Sequence, residues 1–322
     1  MTSPVLPAEL RDRIEQVLRN VPQPVLAARS AEMSATYRAR RGSNIGIRDS
    51  IDAAAYLAAR LPATYAAIIA ALNGVAEGAP DFAPTSLLDF GAGPGTASWA
   101  AAQIWPSLQS ITMLDRNAAL LGCAKDLAQA ATSAAIRGSR IQQGSTPSSN
   151  SIYDVVLAGY VFAELPSTEI EETVKRLWNA SRGVLVIVEP GTPDGFERIR
   201  AIRETLLSDR AAIIAPCPGS YACPIAGPDW CHFSVRLPRS RTHMRVKGAD
   251  VPFEDEKFSY VAFVRETVAL QPIEARILAR PHAMKPGIRF KLCTADGIVD
   301  RTIARRDPAY KTATKKSWGD PL

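Results

Sequence analysis

The sequence lacks several features that would assign the protein to a simple class. No stretch approaches the roughly 18 consecutive apolar residues that a membrane-spanning helix needs. Residues 1–10 contain no basic segment followed by an apolar core, and they lack the Arg-rich, acid-poor composition of an organellar transit peptide. No internal repeat is present. We therefore expect a monomer without membrane contact, located in the cytoplasm of a bacterium.

Charge is distributed unevenly along the 322 residues, whose net charge is +6. Residues 198–247 carry nine basic and three acidic side chains, and residues 271–322 carry eleven and five. Two basic segments on an otherwise acidic body predict a surface that faces a polyanion, although ordinary solvated side chains are the alternative. The candidate RNA-contacting residues are Arg236, Arg239, Arg241, Arg245, Lys247, Lys311, Lys315 and Lys316.

Hydrophobic periodicity predicts an α/β protein. Helical spacing covers residues 7–20, 26–40 and 46–73, and Pro62 is expected to kink or end the last of these. Short apolar runs then alternate with helical segments, which is typical of a mostly parallel sheet covered on both faces. We predict a Rossmann-like, seven-stranded sheet that ends with a strand near residues 257–265.

These patterns divide the chain into three regions. An N-terminal helical region spans residues 1–78. A linker rich in Gly, Pro and Ala is predicted over residues 74–84, at the boundary between this region and the next. A Rossmann-like domain spans residues 79–270 and contains a Cys-rich insertion at 216–256. Three β-type runs and a basic, extended tail form a small β appendage over residues 271–322.

A glycine-rich turn, Asp89-Phe90-Gly91-Ala92-Gly93-Pro94-Gly95, follows the first predicted strand and opens a helix. Glycines let the backbone approach a ligand closely, and the first amides of a helix can face a carboxylate or phosphate. Asp115 ends the second strand, where an acid can hydrogen-bond ribose hydroxyls. The turn therefore predicts a nucleotide-type cofactor, a dinucleotide and a purely structural turn being the alternatives.

Two features favour S-adenosylmethionine. Asp89 precedes the turn, where an acid can hold the cationic methionine end of the cofactor through water, and the order Gly-x-Gly-Pro-Gly departs from the dinucleotide fingerprint. The motif resembles the first motif of class I methyltransferases, so the predicted fold is the class I S-adenosylmethionine-dependent methyltransferase fold. The predicted cofactor contacts lie on the turn and at the ends of strands two to four: Asp89, Gly91, Ala92, Gly93, Gly95, Asp115, Arg116, Gln142, Gln143, Ala158 and Gly159.

Four of the five cysteines lie in the C-terminal half. Cys217, Cys223 and Cys231 have the spacing Cys-x5-Cys-x7-Cys, and Cys293 ends a later β run. Three close cysteines and a distant fourth predict one tetrahedral thiolate site, although three unrelated thiols are the alternative. No Cys-x2-Cys pair is present, which disfavours a zinc ribbon, but spacing leaves zinc and an iron–sulfur cluster open. Pro216-Cys217 is similar to the nucleophile motif of cytosine-5 RNA methyltransferases, but that nucleophile follows strand four, whereas Cys217 follows strand six.

Several runs together resemble one family, the methyltransferase-like proteins of the mitochondrial small ribosomal subunit, of which bacteria carry shorter relatives. The resemblance covers about residues 30–319. It is carried by Leu88–Gly95, Val188–Pro193, Ala215–Pro218, Asp229–Phe233, Phe253–Tyr260 and Leu292–Gly297. The resemblance implies binding to the small ribosomal subunit or its rRNA during assembly. It also implies a [4Fe-4S] cluster on the cysteines that match the family's, namely Cys217, Cys223, Cys231 and Cys293.

Three functions follow from these observations. The first is an rRNA methyltransferase, with Tyr160 stacking on a base and Glu189 contacting the acceptor. The Asn/Asp-Pro-Pro-aromatic signature of amino-methylating enzymes is absent after strand four, so the catalytic residues are unknown and these two are candidates. The second is a non-catalytic assembly factor that keeps S-adenosylmethionine binding. The third is a small-molecule methyltransferase with structural zinc, which the two basic segments disfavour.

Overall fold

A computed structural model describes residues 4–38, 46–148 and 151–322. Within these ranges its N-terminal region includes the helices α1 (Ala8–Arg19), α2 (Gln23–Arg38), α3 (Ser50–Ala59) and α4 (Leu61–Gly78). The predicted break before Pro62 is present, since α3 and α4 meet at an angle of 54°. Residues 39 and 40, the end of one predicted helix, lie outside the described residues.

No single helix of the described ranges is long and apolar enough to cross a membrane. The bent pair formed by α3 and α4 meets the length and composition criteria only when its two helices are taken together.

The predicted linker at residues 74–84 is wrong over its first five residues, because α4 continues through Gly78. A Cβ on Gly74 would lie 2.6 Å from the hydroxyl of Tyr260, and one on Gly78 would lie 2.7 Å from Cγ1 of Ile214. These glycines therefore allow α4 to approach the sheet closely.

The central sheet contains β1 (Ser86–Phe90), β2 (Ser110–Asp115), β3 (Arg140–Gln143), β4 (Tyr153–Gly159), β5 (Ser181–Pro190), β6 (Ala212–Ala215), β7 (Phe233–Pro238) and β8 (Phe253–Val264). Its order is β3-β2-β1-β4-β5-β8-β6, and β7 adds an eighth strand beside β8. Strands β1 to β5 pair in parallel, whereas β8 is antiparallel to β5 and β6. This arrangement is the class I methyltransferase fold, as predicted, but the predicted number of seven strands is wrong because the Cys-rich insertion adds β7.

Helices cover both faces of the sheet: α5 (Thr96–Ile104), α6 (Ala118–Gln129), α7 (Ala134–Arg137), α8 (Ser167–Asn179) and α9 (Pro193–Ser208). Alternate residues of each strand enter separate cores, as the period of two in a strand requires. Val155 and Leu157 belong to a core that includes residues of α1, α3 and α4, whereas Val156 and Ala158 belong to a core that includes residues of α8 and α9. The N-terminal helices therefore share a core with one face of the sheet.

The C-terminal part begins with the Cys-rich insertion, which supplies β7 and α10 (Arg241–Lys247). The appendage follows as a second sheet of β9 (Ala275–Ile277), β10 (His282–Ala283), β11 (Gly287–Thr294) and β12 (Gly297–Ala304). The predicted β-type runs are thus present. The extended tail is wrong at α11 (Tyr310–Ala313), because Tyr310 and Ala313 pack into the core of the appendage.

Candidate functional site

The carboxyl ends of β1 to β4 meet at one edge of the sheet. Phe90 pairs with Leu114 on one side and with Ala158 on the other, and Asp115 pairs with Gln143. Parallel register therefore places the glycine turn beside the ends of β2 and β4, where ligands bind in folds of this type.

The glycine turn has a conformation that other residues adopt only with strain. Gly91, Gly93 and Gly95 have φ values of 69°, 54° and 84°, all in the left-handed region. A Cβ on Gly91 would also lie 2.2 Å from Cγ2 of Val161, just beyond β4. The amides of Gly91 and Ala92 both donate to the carbonyl of Leu114, which ties the turn to β2.

Asp115 holds the turn and the start of α6 at the same time. One carboxylate oxygen accepts from the amide of Gly93 at 2.7 Å, and the other accepts from the amide of Asn117 at 2.7 Å. Because a carboxylate offers about four lone-pair sites, Asp115 retains the capacity to accept ribose hydroxyls. Burial raises the pKa of this carboxyl.

Asp89 lies beneath the turn and is 1% exposed. Its Oδ2 accepts from the amide of Ser98 at 2.9 Å and from the hydroxyl of Ser98 at 2.7 Å. Burial raises the pKa of Asp89 to about 7, despite these two hydrogen bonds. A nearby positive charge on a ligand would favour the ionised form of this carboxyl.

The other predicted cofactor residues lie around the same edge. Gln142 and Gln143 are exposed at the end of β3, and Gln143 Nε2 donates to the carbonyl of Arg116 at 3.2 Å. Ala158 is buried at the end of β4, and Gly159 is close to Ile68 of α4. All of these residues are therefore within the region that the strand register defines.

Tyr160, a catalytic candidate, follows β4 with a φ of 63°. Its hydroxyl donates to Oε1 of Glu256 at 3.0 Å, and the guanidinium of Arg60 lies 5.9 Å from the centre of its ring. Burial and the charge of Glu256 raise the pKa of Tyr160 well above its usual range. The phenol is thus neutral and engaged within the fold.

Glu189, the second catalytic candidate, is completely buried at the end of β5. It accepts from the amide of Phe162 at 3.1 Å and from Nε of Arg198 at 2.7 Å. Burial raises the pKa of Glu189 to about 7, although Arg198 opposes the shift. The carboxylate joins β5 to the turn after β4 and to α9.

The four predicted cysteine ligands line one cavity of about 40 Å³ between α9, the insertion and the appendage. Cys217, Cys223 and Cys231 come from the insertion, and Cys293 comes from β11. Burial raises the pKa of Cys217 and Cys231, and it raises the pKa of Cys293 to about 11. In the part of the chain that the structure describes, no three His, Cys, Asp or Glu side chains form a ready metal-ion site.

Two buried arginines border this cysteine cavity. Arg203 is 4% exposed and donates to the carbonyl of Tyr221, while its Nε has no hydrogen-bond partner among the described residues. Arg276 is 2% exposed and donates to the carbonyls of Pro216 and Gly319, each at 2.8 Å. Arg276 also pairs with Glu77 at 3.5 Å, whereas Arg203 has no ion pair among the described residues. Because buried positive charge is costly without a negative partner, the side of the cavity next to Arg203 is suited to an anionic group.

The predicted RNA-contacting residues fall into two groups. In the first basic segment, Arg236 forms two hydrogen bonds to Asp255, and both Arg239 and Lys247 contact Glu254. Arg241 and Arg245 are exposed on α10, and Lys311, Lys315 and Lys316 lie on or after α11. Three of the eight predicted residues therefore already have a carboxylate partner.

Sequence reasoning missed several residues that shape the site. Asn117 caps α6 and was detectable in principle, since Asn before a helical segment is an N-cap signal. Ser98, Glu256, Arg203 and Arg276 had no such signal, because their partners are distant in sequence or their role depends on burial.

Residues 50–322 match the family described as mitochondrial small ribosomal subunit Rsm22. The chain belongs to this family. It is 31% identical over 295 residues to the human mitochondrial ribosome assembly protein METTL17, covering 83% of this chain and 61% of that protein. It is 25% identical over 325 positions to the mitochondrial Rsm22-cox11 tandem protein 2 of Schizosaccharomyces pombe, and the match covers 83% of this chain and 42% of that protein. This Rsm22-family chain thus spans less than two thirds of the curated relatives' length.

Solved structures with a similar fold are more distant. Magnesium protoporphyrin IX methyltransferase of Synechocystis PCC 6803 with bound SAH has a TM-score of 0.41 and 14% identity, covering 63% of this chain and 82% of that one. Precorrin-6y C5,15-methyltransferase of Geobacter metallireducens GS-15 has a TM-score of 0.40 and 16% identity, and the match covers 60% of this chain and 85% of that one.

The expectation of a cytoplasmic bacterial protein is wrong by these comparisons. The matched family is described as mitochondrial, and the human and yeast relatives are named as mitochondrial proteins. The expectation rested on the composition of residues 1–10, which lie outside the matched region.

Proposed function

We propose that this Rsm22-family protein binds S-adenosylmethionine at the glycine turn and acts on the small ribosomal subunit or its rRNA. The observation that carries the cofactor proposal is the turn itself, with three left-handed glycines and Asp89 and Asp115 beside it. The proposed contacts divide by chemistry. Asp89 faces the cationic methionine end of the cofactor, and Asp115 and Arg116 face its ribose. The adenine lies against Gln142 and Gln143, and the methyl-bearing region lies against Ala158 and Gly159.

Isothermal titration calorimetry with S-adenosylmethionine tests the cofactor site. We expect one site per chain, and at least tenfold weaker binding in Asp115→Ala, because a lost charged hydrogen-bond partner costs about 1.5–3 kcal/mol. The control is Asp126→Ala, which removes a carboxylate on α6 that pairs with Arg13. Equal affinity in wild type and Asp115→Ala would contradict the proposal.

The ribosomal part of the proposal rests on family membership and on the name of the human relative, a ribosome assembly protein. It is supported by the exposed cations at α10 and α11. Salt-dependent cosedimentation with purified small ribosomal subunits tests it, and a protein that stays in the supernatant at low salt would contradict it.

Methyl transfer to rRNA is the first candidate activity, and a non-catalytic assembly factor is the second. The second is favoured by one observation, that Tyr160 and Glu189 are both hydrogen-bonded within the fold. Incubation of immature small subunits with tritiated S-adenosylmethionine distinguishes the candidates. Incorporation that is lost in Asp89→Ala supports an enzyme. No incorporation, with cofactor binding intact, supports the assembly factor.

We further propose that Cys217, Cys223, Cys231 and Cys293 hold a [4Fe-4S] cluster, with zinc as the alternative. The four thiols line one cavity, and the buried Arg203, which also lines it, provides positive charge. A single zinc ion bound at about 2.3 Å from each sulfur needs a compact set of ligands. The described residues form no such compact set, and the choice of a cluster rests on the family resemblance of the four cysteines and on the cavity that they share. The cluster would supply a rigid, anionic link between the insertion and β11.

Anaerobic purification followed by visible spectroscopy and metal counting tests this proposal. We expect a broad absorption near roughly 400 nm and iron in excess of zinc. Cys217→Ser should lose both signals, whereas Cys123→Ser, a control on α6, should retain them. Finding zinc and no iron in the wild-type protein would contradict the cluster and support the zinc site.

A further inference from the structure

The first basic segment has much of its charge neutralised inside the fold. Glu254 contacts Arg239 at 3.3 Å, Lys247 at 2.7 Å and His243 at 3.2 Å. Although burial opposes it, the contact with His243 and the hydrogen bonds from Lys247 hold the pKa of Glu254 well below its usual range, so it stays ionised. A cation with such a partner must give up an ion pair to bind a phosphate, which reduces the net gain.

The C-terminal appendage carries a second group of cations, which we call the α11 patch: Arg301, Arg305, Arg306, Lys311, Lys315 and Lys316. All are exposed except the half-buried Lys316. Within the described ranges none of the six side chains has an ion pair or hydrogen bond to another residue. These charges are therefore available to an external partner.

Local structure leaves the α11 patch without internal neutralisation. Asp307 is the only acidic residue between positions 301 and 316. Its Oδ1 accepts from the amide of Ala309 at 2.8 Å, so this carboxylate closes the turn before α11. The turn is held further by the amide of Arg305, which donates to the carbonyl of Pro286 at 3.1 Å. The cations are thus displayed on an ordered backbone.

The chemistry of the α11 patch suits RNA better than a protein partner. Protein interfaces centre on buried apolar or aromatic anchors, and the aromatic ring of Tyr310 is already used in the core of the appendage. The exposed neighbours of the cations include Thr302, Thr312 and Thr314, whose hydroxyls can hydrogen-bond phosphate oxygens. A surface of Arg, Lys and Thr is typical of contact with a sugar–phosphate backbone.

We propose that the α11 patch is the main RNA-contacting surface of this protein and that the first basic segment contributes the smaller share. This inference rests on the proposed function, since it assigns the place at which rRNA is bound. It adds Arg301, Arg305 and Arg306 to the residues predicted from charge, and it moves the centre of the interface from the insertion to the appendage.

Fluorescence anisotropy with a labelled RNA hairpin, measured over a series of salt concentrations, tests the inference. The variant Arg305→Ser/Arg306→Ser/Lys315→Ser removes three cations of the patch. Each phosphate contact adds about 0.7–0.9 to the slope of log affinity against log salt, so we expect the slope to fall by roughly 2–3. The matched control, Arg236→Ser/Arg241→Ser/Arg245→Ser, removes the same charge from the first basic segment. Asp255 already neutralises Arg236, so only Arg241 and Arg245 are free to contact phosphates, and the slope should fall by less than in the α11 variant.

The outcomes separate this inference from the proposed function. If wild-type protein binds neither the hairpin nor small ribosomal subunits, the proposed function fails. If it binds, but the control variant lowers the slope as much as the α11 variant does, only the inference fails. If the α11 variant loses subunit binding with an unchanged hairpin slope, the patch contacts protein and the inference is overturned. The α11 variant should keep the melting temperature of wild type, because its three side chains are exposed, and the control should lose only the surface ion pair between Arg236 and Asp255.

Discussion

The pH dependence of cofactor binding gives a quantitative test of the role of Asp89. Burial raises the pKa of this carboxyl to about 7 from an ordinary 3.8. The shift of about 3 units corresponds to at most about 4 kcal/mol in favour of the neutral acid. A cationic ligand reverses this preference, because it stabilises the carboxylate. Binding of S-adenosylmethionine below pH 7 must therefore release a proton.

The expected effect follows from linkage. Each pH unit below the pKa of the free protein weakens binding about tenfold, so affinity at pH 6 should be about one tenth of that at pH 8. Calorimetry in buffers with different ionisation enthalpies should detect proton release at pH 6 and almost none at pH 8. Asp89→Asn should bind more weakly, with no such dependence.

Two controls identify the titrating group. Burial raises the pKa of Glu189 to about 7 as well, but this carboxylate already has Arg198 as its cation. Glu189→Gln should therefore keep the pH dependence. Asp115→Asn should also keep it, because its proposed ligand partner is an uncharged ribose. Constant wild-type affinity from pH 6 to pH 8, or an unchanged slope in Asp89→Asn, would refute the reasoning.

Two further predictions concern stability. Gly91→Ala should cost about 2–5 kcal/mol of unfolding free energy, from left-handed strain and the contact with Val161, whereas Gly248→Ala has similar strain in open space and should cost about 1–2 kcal/mol. Equal urea midpoints would contradict this account. Although burial opposes it, hydrogen bonds from Arg182 and Thr85 hold the pKa of Asp154 well below its usual range. Wild-type stability should thus decrease as pH falls below about 4. Asp154→Asn should lose on the order of 2 kcal/mol of unfolding free energy at neutral pH, and its stability should depend less on pH below about 4.

Much of the fold was predictable from sequence because it depends on local periodicity. The alternation of apolar runs and helical segments predicted the parallel sheet, and the break at Pro62 was correct. The glycine turn was also recognisable, since residues 91, 93 and 95 require φ values that glycine alone adopts without strain.

The errors arose where tertiary contacts outweighed local preference. Gly74 and Gly78 predicted a linker, yet they lie within α4 because the helix packs close to the sheet. The tail was expected to be extended, but Tyr310 and Ala313 are drawn into the core of the appendage as α11. The Cys-rich insertion contributes β7, which no periodicity indicated.

By itself the sequence determined the class I fold, the glycine turn and the candidate cysteine ligands, because residue type and short-range spacing carry those signals. Only the tertiary structure decided which charges have partners. Arg239 and Lys247 share Glu254 across β7, α10 and β8, Arg203 and Arg276 are buried beside the cysteines, and the α11 patch is left exposed. The physical reason is that electrostatic neutralisation depends on distance in space, and segments far apart in the chain come within a few ångströms only in the folded protein.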